Sequence, residues 1–583
     1  MIGAVLRRRL LVAGALFACF WATASVAQWF SDRPFYYQGR PNWVNDLAAS
    51  STRWLPTSES LLFGAALVFL LPAIIVAAHA LSRETAVDPF DRFYTRRVPT
   101  LAVLIAVLGA AFIQFVLLRG QPILDDERAY LFQAKLFASG HVGLPSPPRA
   151  FANPLILTQP MWTSGYTPGH SLVLAPAAAI HLEHVWHVLM AGVFTAAVAG
   201  YVRIAFGAKH AALAAVLAAC SPFVWAIYGT ALAFTTSVTC LAVFLYAVVR
   251  ADRGRATWML LAGVMAGIAF ITRPYEALAF CAPAALRMVY EVRRAPLRPV
   301  FALVGFAAIA WVLFWHDNAV TGDPLSMPYN SPTMPAFKLG FTKAMSFGEL
   351  VHSPLQAIGN LVGVVQRMDL WLLAFPGSLV FVIAGAIRKS PTRDDALLRA
   401  TVVMFVLFYV LVPYPGTWDV GPTYYFALAP ALIPLAVRGI GAWRHYKITP
   451  WLVSAGLAIN LTAIAPIHAI HLGSLAAQIR APWTTIADAN LGKAIVIVPP
   501  IDARRAPGWA HGYPYEIGDV HLIAPMNQKD LDDAIRYLGP QPVYQLVLDK
   551  DFYTATGDRR FSLEPLQPSS SSSAGSPAAS GSN

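Results

Sequence analysis

The chain has 583 residues, of which 57% are hydrophobic and only 13% are charged, and its mean hydropathy is +0.53. Soluble domains carry about 25% charged residues, so this composition excludes a soluble globular protein and indicates a polytopic membrane protein. The net charge of +12 would suit a nucleic-acid-binding protein. The basic residues, however, are spread over short segments between apolar stretches, and we therefore expect no nucleic-acid partner.

Thirteen apolar stretches predict an α-helical membrane protein with about 13 transmembrane helices, some of them shorter than the roughly 20 residues that a spanning helix needs. They lie near residues 10–29, 59–81, 99–118, 183–202, 211–229, 235–249, 257–272, 277–286, 299–315, 368–387, 400–413, 424–437 and 448–466. The first stretch follows Arg7-Arg8-Arg9 and contains ATASVAQ, so it also resembles a cleavable signal peptide. We favour an uncleaved membrane anchor.

The distribution of basic residues predicts the orientation. If the spans alternate from a cytoplasmic N-terminus, the cytoplasmic segments hold 23 of the 43 Lys and Arg in 75 residues, whereas the opposite segments hold 11 in 151 residues. This asymmetry follows the positive-inside rule. An odd number of spans then places the C-terminal region outside, in the periplasm, with the chain in a bacterial-type inner (plasma) membrane.

The first long outer segment, residues 119–169, contains three consecutive acids, Asp125, Asp126 and Glu127. They begin a predicted amphipathic helix, Leu124–Ser139, lying at the membrane surface. The side chains on one face of this helix are Asp126, Tyr130, Gln133 and Phe137. Acids in a first turn also favour the helix dipole, which is the structural alternative. Ionisable groups next to hydrocarbon usually have a function, and we therefore treat the acids as a candidate site.

Other residue types that often carry chemistry give weaker indications. His181, His184 and His187 are spaced i, i+3 and i+6, and the outer two lie on different helix faces, so we expect no metal site there. The four cysteines all lie in apolar stretches and provide no disulfide framework. The sequence indicates no cofactor with certainty, and a divalent cation held by the three acids is left open as an alternative.

The C-terminal part changes character. KAIVIVPP, DVHLIAP and VYQLVLD predict short β-strands, and NQKDLDDAIRYLG predicts an amphipathic helix that ends at Gly539. A second surface helix is expected in part of residues 348–366. The predicted domains are a two-span N-terminal extension (1–98), a transmembrane core (99–466) with outer loops 119–169 and 316–367, a small extracytoplasmic α/β domain (467–565), and a disordered tail (566–583).

Several segments resemble the GT-C superfamily of membrane glycosyltransferases, which includes the protein O-mannosyltransferases and the aminoarabinose transferase of lipid A. DERAYLFQAKLFASG resembles the DE-x-x-Y stretch that opens the first outer loop of that superfamily. The later segments that resemble it, in the same order, are WTSGYTPGHSLVLAPA, LLAGVMAGIAFITRPYEAL, DNAVTGDPLSMPYN and GPTYYFALAPALIPL. The resemblance covers residues 99 to 440.

This resemblance implies a GT-C fold and an enzyme that moves a sugar from a polyprenyl-phosphate donor to a lipid, glycan or protein acceptor outside the cytoplasm, with inversion. It implies Asp126 as the general base, Glu127 as its support, and Asp125 as an acid able to replace either. The alternatives are a transporter or flippase, and a non-catalytic scaffold for envelope assembly. A transporter often shows internal repeats, and we detect none in this sequence.

The phosphate site departs from the family pattern, because Gly165 precedes Tyr166 where the family often has a lysine. Arg273, in TRPYEA, is our candidate replacement, and the alternative is an arginine that reaches the lipid headgroups. The other candidate substrate-binding residues are Tyr130, Tyr166, His170, Glu276, Lys338, Tyr424 and Tyr425, with Lys343 as a weaker one. Thr423 occupies a position where the family frequently has Arg or His.

Overall fold

The structure, a computed structural model, describes most of the chain. The described residues are 2–31, 64–84, 89–90, 97–151, 155–330, 339–341, 343–344, 350–373, 375–389, 391–412, 416–418, 420–498, 519–525, 527–548 and 561–566. The chain divides into a helical unit, Met1–Ser146 with Pro154–Gln478, and a C-terminal unit, Pro147–Asn153 with Ile479–Asn583. The predicted boundary at residue 467 thus lies earlier than the division at 478, and the prediction did not include the short segment Pro147–Asn153.

The helical unit is built almost entirely from α-helices, and the last of them continues past Gln478 into the residues of the C-terminal unit. In chain order they are α1 (Ile2–Ser31), α2 (Leu71–Glu84), α3 (Val98–Ala111), α4 (Asp125–Ala138), α5 (Gly169–Ala178), α6 (Glu183–Phe206), α7 (Ala208–Ala219), α8 (Pro222–Tyr228), α9 (Phe234–Asp252), α10 (Trp258–Thr272), α11 (Pro274–Tyr290), α12 (Leu297–Thr321), α13 (Pro354–Trp371), α14 (Leu379–Ala386), α15 (Arg393–Tyr409), α16 (Thr423–Phe426), α17 (Ala429–Trp443), α18 (Thr449–Ile459) and α19 (Ala465–Asp488). Three two-stranded sheets lie between them: β1 (Ile156–Leu157) with β2 (Thr163–Ser164), β3 (Lys343–Ala344) with β4 (Leu350–Val351), and β5 (Thr417–Trp418) with β6 (Gly421–Pro422).

Several of these helices are long and apolar enough to cross a membrane. Among the described residues six segments meet that criterion, and α7 with α8, bent by 61°, forms a seventh if the pair is one broken span. The six are Ala66–Arg83, Val98–Leu117, Glu183–Phe206, Phe234–Asp252, Leu297–Thr321 and Thr449–Ala477. The predicted membrane protein is confirmed, whereas the count of about 13 spans stays a prediction.

One predicted span, near residues 368–387, is broken in the structure. Helix α13 ends at Trp371 and α14 begins at Leu379. Gly377 between them has a φ of +82°, and the Asp369 carboxylate accepts hydrogen bonds from the amides of Gly377 (2.6 Å) and Leu379 (2.9 Å). The carboxylate therefore caps α14 at its N-terminus. The apolar composition of residues 368–387 predicts one continuous span, whereas the dipeptide Pro376-Gly377 indicates the break.

Close packing of α10 against α12 fixes the positions of the loops at their ends. A Cβ atom at Gly263 of α10 would lie 2.1 Å from the carbonyl oxygen of Ala302, and one at Gly305 of α12 would lie 2.4 Å from that of Leu260. Only glycine permits this approach, as is common between helices in membranes. The packing positions Arg273, directly after α10, and His316, near the end of α12.

The C-terminal unit is a small α/β domain, as predicted. Its sheet consists of β7 (Ala494–Ile497), β8 (Val520–Ile523), β9 (Val543–Leu548) and β10 (Phe561–Pro565), in the order β10-β9-β7-β8. Strand β7 pairs in parallel with β8 and β9, while β10 pairs antiparallel with β9. Helix α20 (Gln528–Leu538) connects β8 to β9. Strand β10 was not predicted, and the predicted disordered tail lies, after Leu566, outside the described residues.

Candidate active site

Glu127 joins the start of α4 to the loop between α8 and α9. Its carboxylate accepts hydrogen bonds from three backbone amides, those of Ile123 (3.0 Å), Leu124 (3.1 Å) and Ala231 (2.8 Å). The side chain is buried, and burial raises the pKa of Glu127 to about 7, against the three amide donors, which favour the carboxylate. Because both carboxylate oxygens already accept hydrogen bonds from backbone amides, Glu127 holds the start of α4 in place. Its predicted support of catalysis would then be indirect.

Replacing Glu127 with glutamine is expected to destabilise the protein by about 1–3 kcal/mol, because an amide NH₂ would then face backbone donors and leave at least one of them unsatisfied. The measurement is thermal unfolding in detergent. Molecules that still fold should keep some activity, since the neighbouring Asp126 is unchanged. An E127Q protein with the stability of the wild type would contradict this structural role.

Asp126 lies one residue earlier and is half-buried. Its Oδ1 accepts a 2.5 Å hydrogen bond from the hydroxyl of Tyr166. Desolvation raises the pKa of Asp126, while the Tyr166 hydroxyl and the positive charge of Arg273 act in the opposite direction. The Tyr166 ring lies 4.5 Å from that of Tyr130, the next residue on the same face of α4. A carboxyl with this raised pKa suits proton transfer.

Arg273 lies between α10 and α11, beside aromatic rings. Its guanidinium is 4.0 Å from the ring centre of Phe234 and 4.9 Å from that of Tyr424. It also forms an ion pair with Glu276, which is buried and accepts a 3.2 Å hydrogen bond from the Ser237 hydroxyl. These neighbours hold the guanidinium in one place and orient it. Its side chain keeps 18% of its surface exposed, so an anion has access to it.

The Y-T-P-G segment, Tyr166 to Gly169, packs against the end of α10. The Thr167 hydroxyl donates a 2.7 Å hydrogen bond to the carbonyl oxygen of Thr272. Gly169 lies so close that a Cβ atom there would be 2.4 Å from the Thr272 Oγ1 and 2.6 Å from the carbonyl carbon of Ile271. This contact brings Tyr166 towards Arg273, which directly follows α10.

Replacing Gly169 with alanine is expected to lower the free energy of unfolding by about 1–3 kcal/mol, because the added methyl group overlaps backbone atoms that cannot move alone. Thermal unfolding measures it. Gly14→Ala in α1 is the matched control, since no heavy atom lies within 4 Å of a Cβ built there. Equal unfolding temperatures for the two variants would show that the contact with α10 is not tight.

The residues of this region fall into two layers. Five half-buried side chains form what we call the accessible cluster: Asp126, Tyr166, Arg273, Tyr329 and Tyr424. The Tyr329 ring lies 5.7 Å from that of Tyr166. The buried residues behind the cluster include Glu127, Tyr130, Phe234, Ser237, Glu276 and Tyr409. The groups able to meet a substrate are thus a carboxylate, a guanidinium and three phenols.

The other predicted site residues have different places. Both ring nitrogens of His170 are engaged, Nδ1 with the Thr236 hydroxyl (2.8 Å) and Nε2 with the Ala231 carbonyl (2.9 Å), which leaves no ring nitrogen for a phosphate. Tyr425 is buried, 5.6 Å from the Tyr409 ring, rather than in the accessible cluster. Lys338 lies outside the described residues. Asp125 is half-buried in the first turn of α4.

Thr423 and the histidine group, which raised questions in the sequence, have structural explanations. Thr423 occupies a position where the family frequently has Arg or His. Its amide and its hydroxyl both donate hydrogen bonds to the Gly416 carbonyl oxygen (2.8 and 2.7 Å). His184 and His187 are bridged by Gln114, whose amide contacts one nitrogen of each ring (3.1 and 3.3 Å). No group of three His, Cys, Asp or Glu suited to a metal ion occurs within the described part of the chain.

Sequence reasoning missed Phe234, Ser237, Tyr329 and Tyr409 as site residues. Tyr329 is the penultimate residue of the segment DNAVTGDPLSMPYN, which carried a family resemblance, so a signal for it existed. Phe234 directly precedes the apolar stretch 235–249, and Tyr409 lies within the stretch 400–413. Aromatic residues are common near the ends of apolar stretches in any membrane protein. Nothing in their local sequence distinguishes them from ordinary interfacial residues.

The chain is similar to one protein family and to solved structures of membrane proteins. A family model described as dolichyl-phosphate-mannose-protein mannosyltransferase matches residues 183–316, from the start of α6 to His316 in α12. Two crystal structures of ArnT from Cupriavidus metallidurans, one bound to undecaprenyl phosphate and one in the apo state, match with a TM-score of 0.51 at 13% and 12% identity. Each match covers 80% of this chain and 98% of the ArnT chain. The chain has the GT-C fold.

This fold confirms the fold class that the sequence indicated. No curated protein sequence matches the chain significantly. At 12–13% identity the ArnT structures establish the fold alone, and the residue roles must be argued from the site itself. The family-model match covers residues 183–316, so it includes only Arg273 of the accessible cluster. The other four members, Asp126, Tyr166, Tyr329 and Tyr424, lie outside it.

Proposed function

We propose that this GT-C protein is a glycosyltransferase that moves a sugar from a polyprenyl-phosphate-linked donor to an acceptor outside the cytoplasm. The observation that carries the proposal is the accessible cluster, in which the Asp126 carboxylate and the Arg273 guanidinium act on each other electrostatically and are lined by tyrosines. The GT-C fold, the mannosyltransferase family model and the undecaprenyl phosphate named with one ArnT structure support it.

The chemistry needs a base and a stabiliser of phosphate charge. An acceptor hydroxyl gives its proton to the Asp126 carboxylate while its oxygen forms a bond to the anomeric carbon of the sugar. The bond from that carbon to the phosphate oxygen breaks, and polyprenyl phosphate leaves with the electron pair. The Arg273 guanidinium stabilises the charge that develops on the phosphate. Attack opposite the leaving group inverts the anomeric configuration.

A transporter or a non-catalytic scaffold explains the cluster less well. Ionisable residues that serve transport usually lie within the spanning helices. Asp126, in contrast, lies on α4, which is not among the described helices that are long and apolar enough to cross a membrane. A scaffold needs neither an accessible carboxylate nor a guanidinium held beside it. We therefore assign the cluster to sugar transfer, with the acceptor being a lipid, a glycan or a protein.

The test is donor turnover by the purified protein in lipid nanodiscs. Undecaprenyl-phosphate-linked sugars would be supplied one at a time with an extract of bacterial envelope as acceptor, and release of undecaprenyl phosphate would be followed by mass spectrometry. We expect one donor to be consumed by the wild type and not by Asp126→Asn. Consumption of none of the donors would favour the scaffold. Movement of intact donor from one leaflet to the other, measured with the protein in sealed proteoliposomes, would favour a flippase.

We also propose that the accessible cluster and the C-terminal unit face the periplasm, with the N-terminus in the cytoplasm. In support, ion pairs join segments assigned to the cytoplasmic side: Arg253 with Asp394, Arg298 with Asp252, and Arg438 with Asp395. Alkaline phosphatase fused after Asn583 should be active, whereas green fluorescent protein fused there should stay dark. A fluorescent fusion together with an inactive phosphatase fusion would show that the C-terminus lies in the cytoplasm, opposite to this proposal.

A further inference from the structure

A second polar chain lies directly behind the accessible cluster and takes no part in the chemistry proposed above. Gln133, on the same face of α4 as Asp126, is fully buried, and so are His316 and Asp317 near the end of α12. The Gln133 Nε2 lies 3.2 Å from the backbone carbonyl oxygen of Tyr166 and 3.3 Å from the His316 Nε2. The His316 Nδ1 lies 3.2 Å from the Asp317 carboxylate.

The partners determine the direction of each hydrogen bond in this chain. The Tyr166 carbonyl can only accept, so the Gln133 atom facing it must be the NH₂ group. The second hydrogen of that NH₂ points to the His316 Nε2, which must therefore be unprotonated. The remaining proton of the neutral imidazole is then on Nδ1, where it donates to Asp317. One arrangement satisfies all three contacts.

We infer that Gln133, His316 and Asp317 form a positioning element that holds Tyr166 against the Asp126 carboxylate. Asp317 fixes the tautomer of His316, the imidazole fixes the amide of Gln133, and that amide holds the Tyr166 backbone. The Tyr166 hydroxyl then lies 2.5 Å from the Asp126 Oδ1. The inference rests on the proposed function for its catalytic meaning, whereas the contacts themselves do not depend on it.

Such an element makes a prediction that general packing does not. The hydroxyl of Tyr166 lowers the pKa of Asp126, against the effect of desolvation. If Tyr166 shifts away, that opposing effect is lost and the pKa of Asp126 rises. Because the base must be ionised, the acid limb of the pH–rate profile moves to higher pH, by roughly one half to one pH unit for the loss of one hydrogen bond.

The first variant is Gln133→Met, which keeps the length of the side chain and removes its polar atoms. We expect its acid limb to move upward, as in Tyr166→Phe, and to move no further when the two changes are combined. Asp317→Asn is a milder variant, because the new amide can donate to His316 Nδ1 and place a proton on Nε2, facing Gln133. It should shift the limb in the same direction by less.

A second measurement does not need activity. A carboxyl with a raised pKa in the folded state binds more protons there than in the unfolded state, so stability falls as pH rises through that window. In Gln133→Met the fall in Tm with pH should extend to higher pH than in the wild type. The extension should disappear when Asp126→Asn is added. Ser139→Ala, at the C-terminal end of α4, is the matched control and should change neither profile.

The outcomes separate this inference from the proposed function. If the wild type transfers no sugar, the proposed function fails and the Tm profiles still test the positioning element. If Gln133→Met lowers the rate while its acid limb and its Tm profile stay at wild-type pH, the inference is wrong. It is also wrong if the effects of Gln133→Met and Tyr166→Phe on the acid limb add, or if the Tm extension persists with Asp126→Asn.

Discussion

Replacing Asp126 with asparagine is expected to lower sugar transfer by about 10²–10⁴-fold, the usual contribution of a general base. Asparagine has the same shape as aspartate, and its amide oxygen can still accept a hydrogen bond from the hydroxyl of Tyr166. The variant should therefore fold and accumulate normally. Because desolvation already raises the pKa of Asp126, removing the charge should leave the unfolding temperature at neutral pH unchanged or slightly higher. Initial rates in nanodiscs and thermal unfolding measure the two effects.

The pH dependence of the wild type follows from the same group. In the proposed reaction only the ionised Asp126 carboxylate can take the acceptor proton, and its pKa is raised above the ordinary value of an aspartate. Activity should fall as pH falls through that raised pKa, and the acid limb should thus lie above the range of an exposed aspartate. Asp323→Asn, in the exposed loop after α12, is the matched control and should keep full activity. Full activity in Asp126→Asn would show that another group is the base.

Local patterns predicted the helix that carries Asp126 because everything needed to form it is close in sequence. The prediction Leu124–Ser139 agrees with α4, Asp125–Ala138, since acids at the first turn and a regular apolar face are local signals. The strands and helix of the C-terminal unit were predicted for the same reason. Only β10, which pairs with β9, was missed.

The partners of the site residues could not be predicted, because they come from distant parts of the chain. The Glu127 carboxylate accepts a hydrogen bond from the amide of Ala231, 104 residues away in the sequence. His170 was a candidate for phosphate, yet Thr236 and Ala231 occupy both of its ring nitrogens. Arg273 was predicted from TRPYEA, but its contact with the Phe234 ring depends on how α9 packs against α10.

A substitution of Arg273 is expected to affect both protein stability and catalysis, and the two effects must be separated by experiment. Changing Arg273 alone to glutamine leaves the Glu276 carboxylate, 1% exposed, without its cation. Breaking a buried pair in this way costs about 3–5 kcal/mol. Arg273→Gln should therefore accumulate poorly, and its low activity would carry no information about the phosphate. The double variant Arg273→Gln/Glu276→Gln removes both charges and should recover most of the lost unfolding temperature.

The double variant then tests the role of the guanidinium directly. If Arg273 stabilises the departing phosphate, the folded double variant should still lose about 10²–10³-fold in kcat, because one fewer donor meets the developing charge. Glu276→Gln alone keeps the guanidinium and should retain much more activity, while Arg273→Lys should fall between them, since lysine cannot offer a planar pair of donors. A double variant with wild-type kcat and KM for the donor would mean that Arg273 is an interfacial arginine. The phosphate would then need another cation, and the 316–367 loop would be the first place to search.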